Sequence, residues 1–215
     1  MMNFVSELLN WFRVHRADLP WRQDRDPYRV WLAEIMLQQT QVGTVIGYYE
    51  RFLARFPTVE ALAAASLDEV LKLWEGLGYY SRARYLHRAA RMIAGEYGGQ
   101  WPETAEALMR LPGIGRYTAG AIASLAFGQD VPVLDGNVIR ILTRLYDIPD
   151  DVGQQATRQR LWALAESLVP RGQAGLYNEA LMELGRLICR PRRPLCEQCP
   201  VSAHCRAFQA EAQEQ

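Results

Sequence analysis

The chain reads as all-α. Apolar residues return every three or four positions rather than every second one. Turn-forming residues also cut the sequence into stretches of about ten to fifteen residues, the usual length of a globular helix. At the N-terminus Phe4, Leu8, Leu9 and Phe12 share one helical face, and Pro20 and the Asp26-Pro27 pair then interrupt the pattern. Trp31, Leu32, Ile35 and Met36 mark the next helix. Further breaks fall at Phe56-Pro57, Gly98-Gly99 and Leu111-Pro112-Gly113, and Leu161, Leu164, Ala165 and Leu168 outline a late helix stopped by Val169-Pro170. There is no internal repeat and no low-complexity tract. The polar stretch from about Gln209 reads as a frayed tail.

A chain of 215 residues, 49% of them hydrophobic, can bury a core without disulfides. It shows no charged-then-apolar leader and no apolar run near the roughly 20 residues of a membrane span, so a reducing cytoplasm is the expected setting. Lysines plus arginines number 24 against 24 acids, so any phosphate-binding surface must come from segregated charge. One such segregation is visible late in the chain, where Arg186, Arg190, Arg192, Arg193 and Arg206 are interrupted by a single acid, Glu197.

Two motifs carry chemistry on spacing alone. In Leu111-Pro-Gly-Ile-Gly-Arg-Tyr-Thr-Ala-Gly120 two helical stretches are joined by a Gly-x-Gly hairpin. Glycines at 113 and 115 permit backbone conformations closed to other residues and expose amides at the start of the second helix, where an anion such as a phosphate is favoured. Gly113, Gly115 and Arg116 are the candidate phosphate contacts, and an ordinary glycine-capped turn is the competing reading. The only cysteines, Cys189, Cys196, Cys199 and Cys205, follow a C-x6-C-x2-C-x5-C spacing in a proline- and arginine-rich loop. Four thiolates so close can enclose one metal centre. The spacing favours iron–sulfur over zinc, whose structural sites more often pair two Cys-x-x-Cys knuckles, and disulfides are disfavoured in cytosol.

Over nearly its whole length the chain resembles the catalytic part of the MutY-type adenine DNA glycosylases, relatives of endonuclease III. The hairpin and cysteine loop are shared with endonuclease III. Leu19-Pro-Trp-Arg22, Ala33-Glu-Ile-Met-Leu-Gln-Gln-Thr-Gln-Val42, Trp74-Glu-Gly-Leu-Gly-Tyr-Tyr80 and Leu134-Asp-Gly-Asn-Val138 point to the adenine-specific branch. The resemblance implies a helix-hairpin-helix fold: a six-helix barrel over residues 25–132, beside a domain built from residues 1–24 and 133–215 that holds a 4Fe-4S cluster. It implies a nucleoid-associated monomer acting on double-stranded DNA with a mispaired base, with no membrane partner. Members of that family carry a further C-terminal domain that reads 8-oxoguanine. This chain stops ten residues after Cys205, so that domain is expected to be missing.

The resemblance also assigns roles. Glu34 becomes the general acid that protonates the departing purine; its helical spacing alone, with Gln38 and Gln41 on the same polar line, reads as surface. A carboxyl kept protonated by a partly apolar pocket suits that task. Asp135, by itself a good helix N-cap, becomes the carboxylate that stabilises the oxocarbenium-like sugar, with Asn137 supporting it by hydrogen bonding. Tyr117 stands where strand-cutting relatives carry a lysine for Schiff-base attack, which implies base removal without strand cleavage. Leu37, Gln39 and Tyr79 match wedge and gap-filling positions. Trp21, Arg22 and Glu179 match an adenine pocket; taken alone, Leu37 and Trp21 also read as core, Gln39 as solvated helix face, and Glu179 as part of a polar stripe with Glu183. A T:G or U:G mismatch glycosylase is the enzymatic alternative, and a non-catalytic iron–sulfur lesion sensor the alternative of another class.

Overall fold

The computed structural model describes residues 2–213, with side chains from 4 to 210. Every regular element among the described residues is helical, and no helix there is long and apolar enough to cross a membrane. The chain divides into two compact units, Asp18–Phe127 and a second made of Met1–Ala17 with Gly128–Gln215.

The inner unit holds α2 (Pro27–Leu37), α3 (Val42–Arg55), α4 (Val59–Ala64), α5 (Leu67–Leu73), α6 (Ser81–Gly95), the single turn α7 (Ala105–Leu108) and α8 (Arg116–Phe127). Starts are set by short polar caps. Asp26 accepts the Arg29 amide at 3.0 Å with Pro27 at the first helical position, and Thr58, Ser66 and Thr104 cap α4, α5 and α7 in the same way. α2 is the central element. Tyr28 and Val30 to Met36 are all buried, and the helix packs against α3, α6 and α8. Around it Phe52 meets Phe56 and Trp74 edge to face, with ring centroids 5.0 and 6.0 Å apart.

The outer unit contains α1 (Met2–His15), α9 (Gly136–Tyr146), α10 (Gln155–Leu168), α11 (Ala174–Leu187) and α12 (Arg206–Gln213). Leu8, Leu9 and Phe12 of α1 are buried, and α1 packs on α11. The buried Glu183 of α11 accepts the Ala17 amide at 3.1 Å and pairs with Arg186. The segment expected to fray from Gln209 is helical as far as Gln213, within α12, which packs on α9, and the segment's last two positions lie outside the described residues. Its Gln209 side chain donates to Ala203 O at 2.7 Å, and Arg206 lies 5.8 Å from the Tyr146 ring centroid. Tertiary contact thus supplies what its polar sequence does not.

Candidate active site and cysteine loop

In the inner unit the hairpin between α7 and α8 brings Tyr117 onto the first turn of α8, and α8 lies along α2. The Tyr117 hydroxyl donates to Glu34 Oε2 at 2.7 Å. Glu34 is only 6% exposed, so the surface reading of its helical spacing does not hold. The cause is packing: α2 is enclosed on several sides, and the polar line is broken after Leu37, where the helix ends. Gln38 is the C-cap of α2 and donates to Thr118 Oγ1 at 3.3 Å, while Gln41 is the N-cap of α3.

What ends α2 is a residue that sequence reasoning missed. Arg82 of α6 is buried, and its Nη1 donates to the carbonyls of Ile35, Met36 and Gln38 at 2.9, 2.9 and 2.6 Å. These include carbonyls that the last turn of a helix leaves without an intrahelical partner. Nη2 donates to the Leu77 and Gly78 carbonyls and to Thr40 Oγ1, and the guanidinium lies 5.3 and 5.7 Å from the Trp74 and Tyr79 ring centroids. Burial pushes its pKa below the ordinary value. One cation therefore fastens the end of α2 to the loop before α6. Both segments contain a residue in the left-handed region, Gln39 at φ 58° and Tyr79 at φ 47°, and Tyr79 is 61% exposed despite its size. Two exposed residues in strained backbone conformations thus flank carbonyls that a single buried guanidinium fixes in place. Leu37 is partly exposed beside them, while Trp21 sits in the 3-10 turn Pro20–Arg22, edge-on to Tyr49 at 5.3 Å, with Arg22 partly exposed next to it.

The hairpin corrects one expectation. Gly113 is left-handed at φ 77°, and a Cβ built there would lie 2.6 Å from Tyr85 Cβ. Gly115 has no such φ and faces open space, so its lack of a side chain keeps the approach to α8 clear rather than permitting a special backbone shape. Gly115 and Arg116 are both exposed.

In the outer unit Asp135 is the N-cap of α9, and its second oxygen is engaged as well. Oδ1 accepts the Val138 amide at 2.8 Å, and Oδ2 accepts Asn137 Nδ2 at 2.8 Å. The capping role and an oriented, partly exposed carboxylate thus coexist. Arg140, also unflagged by sequence, donates through Nη2 to Asn137 Oδ1 at 2.7 Å and to Gly185 O at 2.9 Å, and through Nε to Cys189 O at 2.7 Å. Its spacing three residues after Asn137 was the available signal. At Gly185 a Cβ would stand 2.6 Å from Asn137 Cβ, so glycine there lets α11 approach α9. Glu179 of α11 is buried, as is Glu183, so the polar stripe they form faces inward.

None of the four cysteines forms a disulfide among the described residues, and each is partly exposed. Arg144, one turn beyond Arg140, donates to Cys189 Sγ at 3.4 Å and to the Arg190 and Pro191 carbonyls, while Cys205 Sγ donates to Arg144 O. The Cys199 thiol is pushed up to about 11, first by burial; a backbone hydrogen bond at Val201 opposes this, and the other three thiols add to it. Among the described residues no three His, Cys, Asp or Glu side chains are gathered closely enough for one metal ion. All four sulfurs are nonetheless within electrostatic reach at Cys199, and a cationic donor already faces one of them. Four soft thiolate donors with charge-assisted support fit an iron–sulfur group, whose positive irons would favour the thiolate that burial alone disfavours. We expect Cys199→Ser to lose the visible iron–sulfur absorbance and to lower the thermal midpoint; full iron content with unchanged stability would refute the assignment of this ligand.

Comparison with known proteins agrees with this geometry. Residues 32–167 match the family model described as HhH-GPD superfamily base excision DNA repair protein, and residues 189–205 match the iron-sulfur binding domain of endonuclease III. The chain is 52% identical to the human (Homo sapiens) adenine DNA glycosylase over 221 residues, an alignment covering 99% of this chain and 40% of that protein. It therefore spans about two fifths of that relative's length. Among solved structures it is similar to a thermostable thymine-DNA glycosylase, with a TM-score of 0.87 and 34% identity over 96% of this chain and 95% of the other. An endonuclease III–DNA complex shares the fold, with a TM-score of 0.80 and 24% identity over 97% of this chain and 95% of the other. The expected helix-hairpin-helix glycosylase fold and iron–sulfur cofactor are thereby established, and the chain belongs to the HhH-GPD superfamily of base excision DNA repair proteins.

Proposed function

We propose that the chain is a monofunctional DNA glycosylase that flips adenine mispaired with guanine or 8-oxoguanine out of a duplex and hydrolyses its N-glycosidic bond, leaving an abasic site. The observation that carries this reading is the buried Glu34 carboxyl oriented by the Tyr117 hydroxyl. A purine leaves readily only when protonated, and a buried, oriented carboxyl is the group to deliver that proton. Tyr117 has no amine for an imine with the sugar, so the strand is left uncut. In this reading Asp135, held by Val138 N–H and Asn137, is the ionised partner that stabilises the developing sugar cation, a division of labour shared with O-glycosidases. Trp21, Arg22 and Glu179 contact the flipped base, Leu37, Gln39 and Tyr79 fill the space it leaves, and Gly113, Gly115 and Arg116 hold a phosphate. The cysteine loop, once it holds its cluster, is a structural staple for the exposed Arg190, Arg192 and Arg193, and one chain acts per lesion as a monomer.

The deciding experiment is single-turnover excision on duplexes holding one A:8-oxoguanine, A:G, T:G or U:G pair, with alkali afterwards to cut abasic sites, and with Asp135→Asn as control. Adenine release that appears only after alkali and is abolished by Asp135→Asn is the expected result. Thymine or uracil release would move the chain to the mismatch pyrimidine enzymes, a second reading favoured by its similarity to the thymine-DNA glycosylase over nearly all of both chains. The hairpin glycines separate two effects. We expect Gly113→Ala to cost about 1–3 kcal/mol of stability through strain. Gly115→Ala, which meets open space, should leave the melting temperature unchanged while weakening duplex binding.

A further inference from the structure

On α6 the residues Arg84, Arg88 and Arg91 recur at i, i+4 and i+7, are all exposed, and form no ion pair among the described residues. Like charges at this spacing repel along a helix face. They line a groove of about 560 Å³ whose walls include no acidic side chain. In a chain whose charges sum to zero, an unpaired cationic stripe is a local concentration that the composition does not require.

The groove lies next to the hairpin. Ser81 and Tyr85 line it and also line a smaller depression of about 260 Å³ walled by Pro112 and Gly113. Tyr85 is the side chain that closes on Gly113, and it is itself 45% exposed, with Arg88 stacked 5.8 Å from its ring centroid. An anionic strand seated at the hairpin would therefore find the α6 arginines next along the surface. Arg84 to Arg91 spans about 10 Å along the helix axis. That length covers about three phosphates of one strand of a duplex, at one per roughly 3.4 Å.

We propose that Arg84, Arg88 and Arg91 form an accessory phosphate-binding track that extends the duplex footprint beyond the hairpin. The proposal rests on the reading of the hairpin as a DNA contact. Because these arginines would meet backbone phosphate, they raise affinity uniformly and read no sequence. They also lie outside the Glu34 and Tyr117 pair, so they act on binding and not on the chemical step.

The test is a salt series of duplex binding for the intact protein, comparing wild type, the Arg84→Gln/Arg88→Gln/Arg91→Gln variant and Arg116→Gln. All four positions are exposed, and the thermal midpoint verifies folding. The triple variant is expected to flatten the slope of log K against log salt by about 0.9 for each phosphate no longer neutralised. Its single-turnover excision rate at saturating protein should be unchanged. An unchanged slope and affinity in the triple variant, with weaker binding by Arg116→Gln, would overturn the track and leave the hairpin reading standing. Weaker binding by the triple variant alone would keep the track and remove the hairpin contact, and no change in either variant would remove both. If the triple variant keeps duplex affinity but no longer binds poly-glutamate that wild type retains, the stripe takes an acidic protein partner and the proposal fails.

Discussion

On the proposed reading, Glu34→Gln is expected to slow adenine excision by roughly 10²–10⁴-fold under single-turnover conditions, the range that general acid catalysis contributes. The substitution keeps the shape of the side chain and one acceptor for the Tyr117 hydroxyl. Duplex affinity and melting temperature should therefore hold while the chemical step collapses. Tyr117→Phe separates orientation from acidity. It removes one hydrogen bond to the protonated carboxyl, worth about 0.5–1.5 kcal/mol, and so should cost roughly 2- to 10-fold. Retention of excision within tenfold of wild type by Glu34→Gln would show that the proton comes from elsewhere, and Tyr117→Phe would then have no reason to act.

The second large effect falls on stability. Arg82→Met keeps the apolar stem but removes the donors serving the carbonyls of Ile35, Met36, Gln38, Leu77 and Gly78. Buried acceptors left unsatisfied cost about 1–3 kcal/mol each, although water will reach some of them. A net loss of about 3 kcal/mol corresponds to a fall in melting temperature of about 6–12 °C for a chain of this size. Arg82→Lys, whose ammonium is a point donor without the planar fork, should recover only part of it. A fall of less than about 3 °C would mean that the end of α2 does not depend on this cation.

The fold is legible in the sequence because its signals are local. Helical periodicity, the Asp26-Pro27 start of α2 and the Asp135 cap of α9 are set by neighbours within four residues. The cysteine loop is legible for the same reason, its four ligand candidates lying within residues 189–205. What stays hidden depends on contacts between distant positions. Arg82 looks like one of several arginines on an arginine-rich helix until the carbonyls of residues 35, 36 and 38 are seen around it. Glu34 reads as solvated because periodicity records one face of α2, whereas α3, α6 and α8 cover several. The glycine at 115 misleads because residue type reports permission for an unusual φ, not its use.

The Arg140 hydrogen bonds have a further consequence, for the way this part of the protein opens. Its guanidinium joins the partner of Asp135, the last turn of α11 and the first cysteine of the loop, and Arg144 fastens the next two residues. Segments tied this way cannot fray one at a time, because releasing any one strands donors in the others. They should behave as one cooperative unfolding unit under native conditions. The Val138 amide at the cap and the Leu195 amide, which pairs with Ile188 O in the loop, would then exchange with solvent deuterium at a common free energy and share one denaturant slope. Two amides far apart in sequence would thus report a single opening event.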